Sequence, residues 1–213
     1  TLTEYKTTRR NHAKILLNGL SDGVQGYSAL VSVREEIEGI SQLYNANNVT
    51  QLMNQDFTVD NFANTLKNTL YTILHIASHG QFDSNPQHTF LLTYDGKLTM
   101  NQLEALIGLS ERRQEPLELS TLSACQTAVG DDQAALGLAG IALKAGAKSA
   151  LASLWFIDDK ATTHLMTSFY QQLQENGLPK AKALQAAQQE LLKHPNYRHP
   201  AYWAPFLLIG SWR

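Results

Sequence analysis

A histidine and a cysteine lie shortly after two apolar runs of this sequence. His79 follows the run LYTILHIA at residues 70–77, and Cys125 follows the run at residues 117–122, so both come where a predicted strand ends. A thiol becomes a good nucleophile when a neighbouring imidazole takes its proton. The two residues therefore indicate nucleophilic chemistry, with His79 as general base and Cys125 as nucleophile.

The fold must bring these two residues together. Short apolar runs alternate with amphipathic segments along the sequence, which is typical of strand–helix–strand units and favours an α/β domain with a mostly parallel sheet. The carboxyl ends of parallel strands meet at one edge, where ligands bind. If the strands before His79 and Cys125 are adjacent, both side chains lie at that edge. The N–H groups of Gly80 and Cys125 are then expected to form an oxyanion hole.

The periodicity predicts strands and helices in alternation. Strands are expected at residues 14–17, 49–53, 70–77, 90–93, 117–122, 149–155 and 206–209, and helices at residues 35–44, 58–66, 99–107, 134–145, 160–175 and 179–193. Thr58 or Asp60 is expected to cap the second helix, and Thr99 with Gln102 has the spacing of a capping box. Because no segment has the composition of a linker, we expect one domain over residues 1–213, as the C-terminal part of a longer protein.

Composition and charge exclude several classes of function. The sequence has 17 basic and 19 acidic residues without a basic cluster, so we expect no direct contact with nucleic acid. No apolar run reaches the ~18 residues of a membrane span and no signal peptide begins the chain, which favours a soluble, cytoplasmic protein without membrane contact. The single cysteine excludes an internal disulfide and a cysteine-rich metal site.

His75 precedes His79 by four residues, which is the spacing of a zinc-binding HxxxH pair in a helix. The segment instead has the β-branched and aromatic composition of a strand, in which those two positions are about 13 Å apart. We therefore expect His75 to be a core or hydrogen-bonded residue, and we expect no metal.

Four segments of the chain resemble the CHAT domain, a family of caspase-related peptidases that are commonly fused to tetratricopeptide repeats. They are ILHIASHG at 73–80, LSTLSACQTAVG at 119–130, GLAGIALKAGAKSALASLWFIDDKAT at 137–162 and HPAYWAPFLLIGSW at 199–212. They follow one another in family order from about Tyr71 to the end of the chain, whereas the earlier part fits more loosely. Each segment alone is a weak signal, but the four in order are a specific one.

The resemblance implies a three-layer caspase–haemoglobinase fold, with a six-stranded, mostly parallel sheet and helices on both faces. The family's catalytic histidine matches His79 and its nucleophile matches Cys125. The chain is also similar to separases, in which the substrate lies beside the segment that matches Ser153 to Asp159. A protein or peptide substrate is therefore expected to bind as an extended strand. The reaction needs no metal or organic cofactor.

Several residues of the matched segments suggest a pocket for the side chain before the cleaved bond. Ser123 occupies the place where caspases carry a pocket glutamine, Trp155 lies near the same edge, and three aspartates follow neighbouring strands: Asp22, Asp158 and Asp159. An acidic pocket favours cleavage after Arg or Lys, because those side chains pair with carboxylates. Alternatively, one of the adjacent pair Asp158 and Asp159 caps the helix that begins near residue 160. Asp159 is the preferred pocket residue.

Other functions are consistent with parts of the pattern. The main alternative is a binding or regulatory module with the same fold and little activity of its own, switched by an attached repeat domain or an activating partner. A glutamine amidotransferase also has a cysteine at a strand–helix turn, but no His-x-Glu motif follows Cys125. A purely structural domain would need no reactive pair at one edge.

Overall fold

The structure is a computed structural model that describes residues 13–82, 89–112, 116–123, 126–127, 140–155 and 158–213. The strands of this part are β1 (Ile15–Gly19), β2 (Val49–Met53), β3 (Ile73–Ala77), β4 (Gly80–Phe82), β5 (Phe90–Leu92), β6 (Lys97–Thr99), β7 (Leu119–Leu122), β8 (Gln126–Thr127), β9 (Ser149–Ser153) and β10 (Phe206–Gly210). The helices are α1 (Val33–Ser41), α2 (Val59–Asn68), α3 (Met100–Arg112), α4 (Asp159–Gln174) and α5 (Lys180–Lys193), and residues 140–144 are also helical.

The main sheet has six strands in the order β10-β9-β7-β3-β1-β2. All neighbours in it run parallel except β9 and β10, which are antiparallel. This confirms the prediction of a six-stranded, mostly parallel sheet. A second sheet has the order β6-β5-β4-β8. The sequence predicted β5 at residues 90–93 but not the sheet, because β4, β6 and β8 have two or three residues and show no periodicity.

Alternating side chains of the central strands bury against helices on the two faces of the sheet. In β1, Leu16 packs into a core that contains residues of α2 and α3, whereas Ile15 and Leu17 pack into a second core that contains residues of α1, α4 and α5. This alternation is what a strand buried on both faces requires. The three layers predicted from the sequence are therefore present.

Side-chain caps fix where two of the helices begin. Thr58 is the N-cap of α2, where its hydroxyl accepts a hydrogen bond from the N–H of Asn61. At α3, Gln102 Oε1 accepts from the N–H of Thr99, and the Gln102 N–H donates to Thr99 Oγ1, which confirms the predicted capping box. These caps satisfy donors that the first turn of a helix leaves without partners.

Strand order decides which loops meet. Because β1, β3, β7 and β9 are consecutive neighbours and parallel, the segments after their carboxyl ends share one edge of the sheet. Half of the predicted helix at 134–145 lies outside the described residues, and residues 140–144 of the other half are helical. Within the part of the chain that the structure describes, no helix has the length and apolar character needed to cross a bilayer.

Candidate active site

His79 lies two residues beyond the end of β3, at the shared edge of the sheet, and only 9 % of it is exposed. Its Nε2 is 2.8 Å from the carbonyl oxygen of Ser28. A carbonyl only accepts hydrogen bonds, so Nε2 carries the proton in the neutral ring and Nδ1 keeps its lone pair. The ring of Tyr27 packs against the imidazole at a centroid distance of 5.2 Å. The ring is thus oriented with Nδ1 as the basic nitrogen.

The loop that supplies the Ser28 carbonyl has an unusual backbone. Gln25 and Gly26 have φ angles of 53° and 84°, in the left-handed region that favours glycine. The side-chain amide of Gln25 donates to the carbonyl of Thr93 at 2.9 Å, which ties this turn to the chain after β5. The turn therefore holds the loop in the conformation that presents Ser28 to the imidazole.

The backbone after His79 leaves one N–H pointing away from β5. The N–H of Leu92 donates to the carbonyl of His79 at 2.8 Å, and Gly80 lies opposite Leu91. Residues of an antiparallel ladder alternate between hydrogen-bonded and non-hydrogen-bonded pairs, so Gly80 belongs to a non-hydrogen-bonded pair. Its N–H consequently points towards the side of the small sheet on which β8 lies.

Cys125 lies outside the described residues, but the chain is described on both sides of it. The N–H of Ser123 donates to the carbonyl of Ile76 at 2.9 Å, and Gln126 pairs with Gln81 in the parallel ladder of β4 and β8. Ile76 precedes His79 by three positions, and Gln81 follows it by two. The segments that flank Cys125 in sequence are therefore hydrogen-bonded to the segments that flank His79.

The two adjacent aspartates after β9 have different surroundings. Asp158 is the N-cap of α4, where its Oδ1 accepts from the N–H of Ala161 at 3.0 Å. Asp159 Oδ2 accepts from the N–H of Ser32 at 3.3 Å, and the carboxyl is close enough to interact electrostatically with His79. The structure thus assigns the capping role to Asp158, while the Asp159 carboxyl binds the N–H of Ser32 and interacts electrostatically with His79.

The pKa of the Asp159 carboxyl is raised above its ordinary value of 3.8. Partial burial is the main cause, and the neighbouring carboxylates of Glu36 and Asp158 raise the pKa further. The N–H of Ser32 and the imidazole of His79 act in the opposite direction. Two other acidic groups near this carboxylate therefore make its ionised form less favourable.

The other predicted pocket residues differ in their exposure and in their hydrogen-bond partners. Asp22 is exposed and its N–H donates to Asn54 Oδ1 on the β2 side, which is the side of β1 away from β7. Ser153 is 1 % exposed and pairs with Phe206 of β10, so β10 already covers the outer edge of β9 there. Trp155 is 39 % exposed, and its indole N–H donates to the carbonyl of Ala201.

A chain of buried polar side chains lies beneath the edge, between the sheet and helices α1 and α4. Glu36 Oε1 accepts hydrogen bonds from Ser123 Oγ at 2.6 Å and from His75 Nε2 at 2.9 Å. His75 Nδ1 is 3.2 Å from the hydroxyl of Tyr170, which lies 2.8 Å from Thr121 Oγ1. His75 is thus a hydrogen-bonded core residue, as predicted. In the described ranges no group of three or more His, Cys, Asp or Glu side chains could hold a metal ion.

The geometry agrees with the comparison of the whole sequence with known families. The CHAT domain family model matches residues 1–211, almost the full length of the chain. The chain belongs to the CHAT domain family. The sequence of this CHAT domain is also 39 % identical over 69 residues to the human tetratricopeptide repeat protein 28, a match that covers 32 % of the chain and 3 % of that protein. The chain thus spans a small fraction of the length of this relative.

Solved structures similar to the CHAT domain are gingipain cysteine proteinases. A crystal structure of the Arg-specific cysteine proteinase gingipain R superposes with a TM-score of 0.59 at 12 % sequence identity, covering 97 % of this chain and 48 % of that one. The complex of the pro- and mature domains of the Porphyromonas gingivalis enzyme gives a TM-score of 0.55 at 11 % identity, covering 97 % and 49 %. The CHAT domain therefore has the caspase-like fold of cysteine peptidases, and spans about half the length of these chains.

Two features of the CHAT domain site were not predicted from the sequence. The carbonyl of Ser28 carries no side-chain signal, because any residue could provide it. Glu36 does have a signal: it shares a buried helix face with Val33, Ile37 and Ile40. A charged residue at such a position indicates a buried partner, since an unpaired buried carboxylate is very costly.

Proposed function

We propose that this CHAT domain is a cysteine endopeptidase in which Cys125 attacks the peptide bond and His79 is the general base. The observation that carries the proposal is the double pairing around these residues. Ile76 binds the chain two residues before Cys125, and Gln81 pairs with the residue directly after it. His79 lies between Ile76 and Gln81 in the chain, and Cys125 lies between the residues that pair with them. We infer from this connectivity that the thiol can reach the imidazole.

The tautomer of His79 suits this role. Because Nε2 donates to the carbonyl of Ser28, Nδ1 is free to accept the proton of a thiol. The Ser28 carbonyl also stabilises the imidazolium that forms when Nδ1 is protonated, since Nε2–H then becomes a charge-assisted donor. Ser28 thus orients the base without taking part in proton transfer.

The reaction proceeds in two steps. The Cys125 thiol transfers its proton to His79 Nδ1, and the thiolate adds to the carbonyl carbon, whose oxygen becomes an oxyanion. The N–H of Gly80, which points away from β5, and the N–H of Cys125 stabilise that oxyanion. The C–N bond breaks as His79 returns the proton to the amine. Water then attacks the thioester, gives its proton to His79 and releases the acid and the thiol.

We further propose cleavage after Arg or Lys, with Asp159 as the residue that binds the basic side chain. Asp159 is half-buried and interacts electrostatically with His79, and a cationic substrate side chain would relieve its repulsion with Glu36 and Asp158. The specificity for Arg named for gingipain R, a protein of the same fold, is consistent with this assignment. The substrate runs as an extended strand beside the segment after β9, where Trp155 is exposed.

Control by an attached or partner region completes the proposal. The match to a human tetratricopeptide repeat protein supports an association between CHAT domains and repeat regions. The alternative, a regulatory module with little activity of its own, shares this feature. The two proposals differ in whether the thiol of Cys125 is activated.

The decisive test is a set of fluorogenic peptides with Arg, Lys, Met, Asp or Leu before the cleaved bond. Wild-type protein is compared with Cys125→Ala and His79→Ala, and the alkylation rate of Cys125 by iodoacetamide is measured in parallel. We expect cleavage after Arg and Lys, its loss in Cys125→Ala, and a decrease of about 10²- to 10⁴-fold in His79→Ala.

Each other result changes a different part of the proposal. Cleavage after Asp or Leu would retain the dyad and refute Asp159 as the pocket residue. Rapid alkylation without cleavage would retain the activated thiol and indicate a peptidase that needs an activator. Alkylation no faster than that of a free thiol, together with no cleavage, would refute the peptidase and favour the regulatory module.

A further inference from the structure

Ser123 is held by the protein on both its backbone and its side chain. Its N–H donates to the carbonyl of Ile76 in β3 at 2.9 Å, and its hydroxyl donates to Glu36 Oε1 at 2.6 Å. A hydroxyl has one hydrogen, so the donor of Ser123 is already used within the protein. The side chain is only 7 % exposed. Both donors of Ser123 therefore have partners within the protein, which is typical of a residue that fixes the structure and not of one that binds a substrate.

The acceptor of this bond is itself fixed. Glu36 is 2 % exposed, and the same Oε1 accepts from His75 Nε2 at 2.9 Å. His75 lies in β3, four residues before His79. The Glu36 carboxylate therefore links the strand that leads to His79 with the end of the strand that leads to Cys125. Hydrogen bonds to a buried carboxylate are strong, and losing one leaves charge uncompensated.

Chain connectivity transmits the position of Ser123 to the nucleophile. Ser123 and Cys125 are two residues apart, so their Cα atoms are separated by at most about 7.6 Å. The direction in which the chain leaves Ser123 thus limits where the thiol can lie. A small displacement of a reacting group is enough to lower the rate of the reaction it carries out.

We propose that Ser123 is a positioning residue that, through its bond to Glu36, sets the place of the Cys125 thiol relative to His79. The inference rests on the proposed function for its effect on peptide cleavage. Its effect on the reactivity of the thiol is independent of any substrate. It assigns Ser123 a role in aligning the dyad in place of a contact with the substrate side chain.

The test is the substitution Ser123→Ala, which removes one hydroxyl and leaves the Glu36–His75 pair in place. Two readouts are measured: kcat and KM for the best fluorogenic peptide, and the rate of alkylation of Cys125 by iodoacetamide. Because the sequence has one cysteine, mass spectrometry assigns the alkylation without ambiguity. We expect kcat and the alkylation rate each to fall about tenfold with KM within twofold of wild type, and Ser123→Thr, which keeps the hydroxyl, to restore both.

Ser168→Ala is the matched control. Ser168 is also 7 % exposed and its hydroxyl also donates to a glutamate, Glu190, but this pair joins α4 to α5 away from the dyad. We expect Ser168→Ala to lower the melting temperature less than Ser123→Ala, because Glu190 is exposed and water can replace the lost donor, and to leave kcat and the alkylation rate unchanged. The control therefore shows whether loss of a buried serine hydroxyl is enough by itself to change the two rates.

Two results would overturn the inference. If Ser123→Ala changes the melting temperature alone, as the control does, Ser123 is a structural residue. If KM rises while the alkylation rate stays at the wild-type value, Ser123 contacts the substrate. Should wild-type protein cleave no peptide, the alkylation rates of the two variants still decide the role of Ser123, because alkylation needs no substrate.

Discussion

The Nε2 atom of His79 lies 2.8 Å from the carbonyl oxygen of Ser28, a residue 51 positions earlier in the chain. A carboxylate side chain accepts this hydrogen bond from the histidine in many enzymes, whereas here a backbone carbonyl accepts it. Because a carbonyl cannot be removed by substitution, the contact must be tested through the turn that positions it. That turn depends on the left-handed backbone of Gly26.

Gly26→Ala should weaken catalysis through backbone strain alone. A Cβ at Gly26 would meet no atom within 4 Å, so the cost comes from its φ of 84°. Alanine in that region costs about 1 kcal/mol, which would lower kcat by up to about fivefold if the loop relaxes away from His79. Steady-state kinetics on the best peptide measures the change.

Gly96→Ala is the control for this substitution. A Cβ at Gly96 would also have open space, but its φ lies outside the left-handed region. We expect wild-type kinetics from this variant. Equal losses in Gly26→Ala and Gly96→Ala would show that the turn does not act through Ser28.

The adjacent aspartates provide a matched pair for the specificity pocket. Asp159→Asn should lower kcat/KM for Arg and Lys peptides by about 10- to 100-fold, because a charge-assisted contact worth about 1.5–3 kcal/mol is lost. Asp158→Asn removes the same charge one residue away but keeps a good N-cap for α4, so its effect should be small. Specificity constants for Arg, Lys and Leu peptides test both variants. A larger loss of kcat/KM in Asp158→Asn than in Asp159→Asn would mean that Asp158 binds the basic side chain of the substrate.

Stability should depend on pH through Asp159. Its pKa is higher in the folded protein than the ordinary value of 3.8, mainly through burial, so the folded state binds the proton more tightly than the unfolded state. The ionised carboxylate therefore lowers stability at neutral pH, and this cost disappears as the pH falls through the raised pKa.

Asp159→Asn should accordingly melt at a higher temperature than wild type at pH 7. The difference should shrink as the pH falls through the raised pKa and approach zero below pH 3.8, where the wild-type carboxyl becomes protonated in both states. Differential scanning calorimetry between pH 3.5 and 7 measures the two curves. A difference that stays constant over this range would mean that the carboxyl does not carry the effect.

Two buried tyrosines should respond in opposite ways to loss of their hydroxyls. The Tyr170 hydroxyl contacts His75 and Thr121, so Tyr170→Phe should cost about 1–3 kcal/mol of folding free energy. The buried hydroxyl of Tyr44 has no hydrogen-bond partner among the described residues, so Tyr44→Phe should be neutral or stabilising. Urea unfolding of both variants measures the difference. Equal destabilisation would indicate that the Tyr44 hydroxyl has a partner.

Much of the fold follows from local patterns. The capping box at Thr99 and Gln102 and the strand at residues 49–53 lie where the sequence predicts them, because both depend on residues within a few positions of one another. The order of the strands was not predicted, beyond the expectation that the strands before His79 and Cys125 are adjacent, and the parallel pairing of β3 and β7 confirms that expectation. The short strands β4 and β8 were missed because two or three residues show no periodicity.

For the candidate site too, some residues follow from the sequence and others only from the tertiary structure. The sequence alone determined the two residues proposed for catalysis, His79 and Cys125, because each follows an apolar strand in a recognisable segment. It also limited the pocket acid to a few aspartates, but both members of the pair after β9 fit a cap equally well. Only the tertiary structure separated them, since the direction of each carboxylate depends on how α4 packs against the loop before α1.

The contacts that orient the site were decided by the tertiary structure. Ser28 and His79 are 51 residues apart, and Glu36 and Ser123 are 87 residues apart. Helix and strand periodicities report which face a residue occupies, but not which distant residue lies opposite. A backbone carbonyl is the same at every position, so its role is invisible in sequence. The sequence therefore specified the residues proposed for catalysis, and the packing of α1 and its preceding loop against the sheet determined which contacts His79 and Ser123 make.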